Sequence, residues 1–167
     1  DDELWRNYQP GEETNDPTVK RYLERDRLVL DEVVRLSDRE FYRTYLYLTN
    51  GSIVFSSLPL VNTCRRASRA LGVRVDLALR ENRVSDALAD ALAIERLGHK
   101  LMVEDNMIVS VLMGGGIFSE GNHALCKVLS HPHFDHDHMS MIEDSRKLLL
   151  GSLGVRGMYG DKIMTLQ

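Results

Sequence analysis

The densest group of metal-ligating side chains in the sequence is the run His131-Pro132-His133-Phe134-Asp135-His136-Asp137-His138. Four imidazoles and two carboxylates fall within eight residues. Imidazole nitrogen suits Zn²⁺, Ni²⁺ and Cu²⁺ alike, and a closed site needs about three converging ligands. His131, His133, Asp135 and His136 are therefore the candidate metal ligands, with zinc or another transition metal as the implied cofactor. His123 could join them from upstream. The same residues also read as a polar turn between helices, because Pro132 ends one helix and Asp135 or Asp137 can cap the next.

The first six residues of this run spell H-x-H-x-D-H, which resembles the metal-binding string of the metallo-β-lactamase superfamily. That resemblance implies a hydrolase in which His131 and His133 serve one metal and Asp135 and His136 another, activating water between them. The surrounding chain departs from that family's pattern. The superfamily places the string after a strand, whereas Ala124–Leu129 read as helix. It also draws on further ligands downstream, and after His138 the chain offers no His and only Asp144 and Asp161.

Other candidate chemistry is incomplete. Gly114-Gly115-Gly116 lacks the Gly-Lys-Ser/Thr that a phosphate-cradling loop needs, since Ile117-Phe118 follows it. Ser119 is not a nucleophile elbow, because Ile117 stands where the elbow's first glycine belongs. The triple glycine instead predicts a kink or a very close helix contact. Arg65, Arg66, Arg69, Arg74 and Arg80 form a row that could meet an acidic partner, but it reads better as a solvated face answered by Asp86, Asp90 or Glu95. Cys64 and Cys126 fall on the apolar sides of predicted helices and read as buried free thiols. No catalytic residue set is assembled.

The elements that carry these residues follow from periodicity. Asp16-Pro17 opens a first helix over 17–36, with Val19, Tyr22, Leu23, Val29, Leu30, Val33 and Leu36 on its apolar stripe. Asp26 falls on that stripe, at its edge or paired with an Arg. Residues 37–55 allow a hairpin turning at Asn50-Gly51, a helix, or a long ordered connection. A second helix starts at Ser57 with Pro59 in its first turn. It keeps Leu60, Val61, Cys64, Ala67, Ser68, Leu71, Val75, Ala78 and Leu79 on one face to about residue 80. After a turn at Glu81-Asn82-Arg83, a third helix carries Val84, Leu88, Ala91, Leu92, Ile94, Leu97 and Leu101 to about Met102. So short a connection forces the two helices antiparallel, and Ala78, Ala87 and Ala91 let their backbones approach. A fourth helix spans about 105–129 with Met107, Ile108, Val111, Leu112, Phe118, Leu125 and Val128. A last one runs from about 137 to 150. Residues 1–16 read as a polar arm, 17–150 as a single helical domain, and 151–167 as a glycine-rich arm.

The stretch Leu79-Arg80-Glu81-Asn82-Arg83-Val84-Ser85-Asp86-Ala87-Leu88-Ala89-Asp90-Ala91-Leu92 resembles the turn of a tetratricopeptide repeat, where an Ala-Leu pair opens the second helix. Over residues 20–145 the chain is similar to uncharacterised helical proteins frequent in planctomycete bacteria. The order from Tyr22 to Leu129 matches theirs: a helix, an aromatic stretch, a long helix with a polar turn, an Ala-rich helix and a further apolar helix. The resemblance implies an all-α fold of antiparallel hairpins, as a tetratricopeptide-like bundle or a short right-handed superhelix. It carries no activity. It implies a bacterial source and an extracytoplasmic location behind an N-terminal anchor.

The totals agree with one globular domain. The chain has 167 residues, 43% apolar and 28% charged, and can close a core without metal or disulfides. A formal charge of −4 argues against general nucleic-acid binding. No stretch approaches the ~18 uninterrupted apolar residues of a membrane span. The chain begins at Asp1 rather than Met, consistent with a trimmed piece of a longer precursor. These features together predict a non-enzymatic helical interaction or scaffold domain that binds a protein partner or forms a homo-oligomer. The alternative is a metal-binding protein or metallohydrolase built on His131–His138.

Overall fold

The computed structural model describes residues 16–39, 54–104 and 108–147, and they are all-α, with no strand among them. In chain order the helices are α1 (Pro17–Ser37), α2 (Val54–Arg80), α3 (Val84–Glu104) and α4 (Ile108–Leu129). Residues 136–147 form a further helix, α5. The two terminal arms, the connection at 40–53 and the end of the last predicted helix lie outside the described residues. Two compact units divide at Phe134 and Asp135, the first carrying α1–α4 and the second α5.

Helix α1 begins as its sequence dictates. Asp16 is the N-cap, its carboxylate accepting from the Thr18 amide at 2.8 Å, and Pro17 takes the first turn, where a missing N–H is harmless. The buried face is narrower than the periodicity predicts. Val19, Leu23, Leu30 and Ser37 are inside, whereas Val29 and Leu36 of the expected stripe are exposed, as is Leu28. Asp26 is held by its neighbour: the Arg25 guanidinium donates to both carboxylate oxygens, at 2.7 and 3.1 Å, while also lying over the Tyr22 ring.

Helix α2 starts earlier than predicted, at Val54, so Pro59 sits inside the helix rather than in its first turn. The end at Arg80 is fixed by a Schellman motif. Asn82 adopts φ 58°, Arg83 N–H donates to the Ala78 carbonyl at 2.8 Å, and Asn82 N–H donates to that of Leu79 at 3.1 Å. Asn tolerates this left-handed conformation better than most residues. The Arg83 side chain then clasps Glu81 and Asp86 across the turn. The tight turn lays α3 antiparallel to α2. Ala78, Ala87, Leu88 and Ala91 are fully buried in the hairpin, as the sequence requires.

Helix α3 is the centre of the first unit. Every residue from Asp90 to Arg96 is buried, because α1, α2 and α4 all pack against it. Its most extensive contact is with α4, and glycines set the distance. A Cβ on Gly98 would lie 2.3 Å from the Phe118 nitrogen. A Cβ on Gly114 would lie 2.8 Å from the Gly98 carbonyl, and one on Gly121 would lie 2.6 Å from the Glu95 nitrogen. The two backbones therefore touch, and α4 runs through Gly114–Gly116 as one continuous helix. Of the expected outcomes for the triple glycine, close packing is the one realised, at its first position.

Candidate functional site

Three places in the described residues carry polar chemistry or unusual exposure. They are the histidine turn, a charge network under α1, and a cavity framed by α2, α3 and α4. The outer face of α4 adds a fourth feature, of a different kind.

In the first unit, α4 ends at Leu129 and the chain turns through His131 and His133. Their rings lie 5.6 Å apart between centroids, tilted by 44°. The His133 amide approaches His131 Nδ1 at 3.3 Å, and the Phe134 amide donates to the His131 carbonyl at 3.0 Å. In the second unit, Asp135 caps α5. Its Oδ1 accepts from the His138 amide at 3.2 Å, and its own amide donates to His138 Nδ1 at 3.2 Å. This is a capping box with His in place of the usual Glu or Gln. The His138 amide and the nearby imidazole hold the Asp135 carboxyl below the usual carboxylate value. His136 stands exposed on the first turn of α5. Among the described residues, no three His, Cys, Asp or Glu side chains gather as an ion-holding group. His123, the expected fifth contributor, lines the cavity described below.

The charge network ties α1 to the hairpin. Arg74 makes a bidentate pair with Asp90, at 2.7 and 2.6 Å, and reaches Asp31 of α1 at 2.6 Å. Burial pushes the Asp90 carboxyl up, against the lowering effect of Arg74. The Arg74 guanidinium is raised, its two carboxylates outweighing its own desolvation. The two partners pull in opposite senses. The geometry, with two short parallel hydrogen bonds, favours the ionised pair. Nearby, Arg96 is buried and meets the Ser37 hydroxyl and the Asp38 carboxylate, the latter at 2.8 Å. Lys100 donates to the Arg39 carbonyl. Arg74 thus leaves the expected solvated row, and Asp90 is one of the three acids the sequence set against that row.

The cavity has a volume of about 280 Å³. Gly72, Ile94 and Ala124 line it with apolar surface. Its polar lining comes from Ser68, Asp76, Ser119, Glu120, His123 and Lys127. Lys127 pairs with Asp76 at 2.7 Å. The buried Ser68 hydroxyl lies 3.0 Å from a Glu120 oxygen and 2.9 Å from the Arg65 carbonyl. It has one proton, and the carboxylate is the stronger acceptor. Ser119 and His123 share this cavity one helical turn apart. The two carboxylates beside them accept from Lys127 and from Ser68.

The fourth feature is the exposure of apolar residues on α4. Ile108, Val111 and Leu112 belong to the apolar set that the sequence places on this helix without assigning them a face. They face outward, Ile108 74% and Leu112 71% exposed. The buried face is made of Ser110, Gly114, Ile117, Gly121, Ala124, Leu125 and Val128. Glycine stands at 114 and 121 because the α3 backbone approaches those two positions too closely for a Cβ, and Ile117, Leu125 and Val128 fill the rest of the face. Gly116 continues the outer face one turn beyond Leu112. It is exposed, and a Cβ there would meet nothing within 4 Å. Cys126 also lies outside, whereas Cys64 is buried, and both are free thiols.

No protein-family model, curated protein or solved structure matches this chain. No helix among the described residues is long and apolar enough to cross a membrane.

Proposed function

We propose that this chain is a non-enzymatic helical interaction domain that docks protein through the outer face of α4, with a second copy of the chain as the occupant. The observation that carries the reading is the pair Ile108 and Leu112, each more than 70% exposed and one turn apart. Large apolar side chains left together in water mark contact surfaces. Gly116 adds to the argument. An interior helical glycine costs roughly 0.5–1 kcal/mol against Ala, and nothing among the described residues requires this one. A partner backbone pressed against α4 would require it.

A self-associating face suits the charge pattern. From Met107 to Ser119 the sequence has no charged residue. Two such faces meeting about a two-fold axis bring no like charges together, and an isologous contact pairs each patch with itself. The scaffold role follows from the glycine-spaced α3–α4 contact, which holds that face on a fixed frame. Sedimentation of the free protein tests the reading against a Leu112→Lys variant.

A second reading has its own observation, the neighbouring imidazoles of His131 and His133. Two adjacent rings can supply two nitrogen ligands to a transition metal. Elemental analysis and thermal shift with added Zn²⁺ or Ni²⁺ test this, and a null result in both removes it.

A further inference from the structure

We infer that the cavity framed by α2, α3 and α4 is a binding site for a small primary amine with an apolar body, such as an aryl- or alkylmethylammonium ion. Shape comes first. Gly72 lines the cavity, and a Cβ built on it would meet nothing within 4 Å. Its missing side chain therefore leaves open space, whereas Gly98, Gly114 and Gly121 have backbone at the same place. The volume of about 280 Å³ lies at the small end of ligand pockets, enough for a single ring or a short alkyl chain. Ile94 and Ala124 supply the apolar wall such a body needs.

Charge selects the head group. Two carboxylates, Asp76 and Glu120, line the cavity against a single ammonium, Lys127. Lys127 is spent on Asp76 at 2.7 Å. Among the described residues, Glu120 is met by a hydroxyl, that of Ser68 at 3.0 Å, and not by a cation. A carboxylate has room for several donors, so an ammonium entering the cavity finds an acceptor already oriented. An anionic ligand would face that same carboxylate and be repelled. None of Ile108, Val111, Leu112 and Gly116 lines the cavity, and the titration reads binding whether or not the chain self-associates.

The experiment is an amide-resolved NMR titration of the full chain with three probes of one shape: benzylamine, benzyl alcohol and benzoate. Saturable shifts at Gly72, Ile94 and Ala124 are expected with benzylamine. Binding about tenfold weaker is expected for benzyl alcohol, as loss of one charge-assisted hydrogen bond implies, and none for benzoate. Glu120→Gln keeps an acceptor for Ser68 but removes the charge, and it should weaken benzylamine about tenfold. Gly72→Leu fills the space and should abolish all binding while the protein stays folded. Absence of saturable shifts with benzylamine overturns the proposal. So does equal affinity for the amine and the alcohol, or binding that survives Gly72→Leu.

Discussion

Gly98 and Gly114 face each other across α3 and α4 so closely that a Cβ on Gly114 would lie 2.8 Å from the Gly98 carbonyl oxygen. No real side chain tolerates that separation from rigid backbone. The contact fixes which residues of α4 go inside, and so decides that Ile108 and Leu112 go outside.

Substitution at the four informative glycines should split by sign. Gly98→Ala and Gly114→Ala should each destabilise by about 2–3 kcal/mol, the range for overpacking against an unyielding neighbour. Gly72→Ala and Gly116→Ala should instead stabilise the isolated chain by about 0.5–1 kcal/mol, through helix propensity alone. Urea unfolding followed by circular dichroism measures all four. Equal effects at Gly114 and Gly116 would contradict the backbone contact.

The buried Arg74–Asp90 pair predicts non-additivity. Arg74→Met leaves Asp90 in the interior without its partner and should cost about 3 kcal/mol or more. Replacing both, as Arg74→Met with Asp90→Leu, should cost clearly less, because no charge is then left buried alone. The double variant also removes the hold on Asp31, so α1 amides should exchange faster with solvent than those of α3. A double-variant cycle by chemical unfolding, with hydrogen exchange, reads both effects.

The cap on α5 is pH-dependent with a definite sign. The Asp135 carboxyl is lowered in the folded state by the His138 amide and its imidazole. A lowered acid contributes stability above its unfolded value of about 3.9 and loses it as pH falls through the folded value. Protection of the His138 amide, measured against its intrinsic exchange rate at each pH, should therefore fall on acidification below about pH 4. Asp135→Ala should show the reduced protection already at neutral pH. Unchanged protection down to the acid limit would contradict the cap.

The two cysteines should differ in reactivity. Burial pushes the Cys64 thiol up to about 11, and the side chain is shielded from reagents. Cys126 is exposed. Iodoacetamide on the native protein at mildly alkaline pH should add one label, at Cys126, and unfolding should expose the second. Mass spectrometry of the peptides checks it, and native labelling of Cys64 would contradict the packing of α2.

The parts of this fold that depend on local signals are legible in the sequence. The Asp16-Pro17 start, the α2–α3 turn and the small residues Ala78, Ala87 and Ala91 all act within a few residues of chain, and all occur as read. The hidden parts depend on a third helix. Periodicity lists Ile108 and Leu112 with the other apolar residues of α4 but does not say which face is buried, and nothing local says that Gly98 stands opposite. The burial of Asp90, Glu95 and Arg96 is hidden for the same reason, since a charged residue on α3 looks solvated until its neighbours cover it. At the histidine run the turn and the Asp135 cap were legible. The cavity was not, because Gly72 and Asp76 come from α2 and Glu120 from α4, and together they spell no motif.

The most direct test is sedimentation velocity on the intact chain over a wide concentration range. The outer face of α4, docked on a second copy, predicts a weight-average mass rising from 19.0 kDa toward twice that value. Leu112→Lys, at an exposed position where folding is unaffected, should hold the mass at that of a single chain. A wild-type protein that stays single throughout, or a Leu112→Lys variant that associates equally well, would contradict the account.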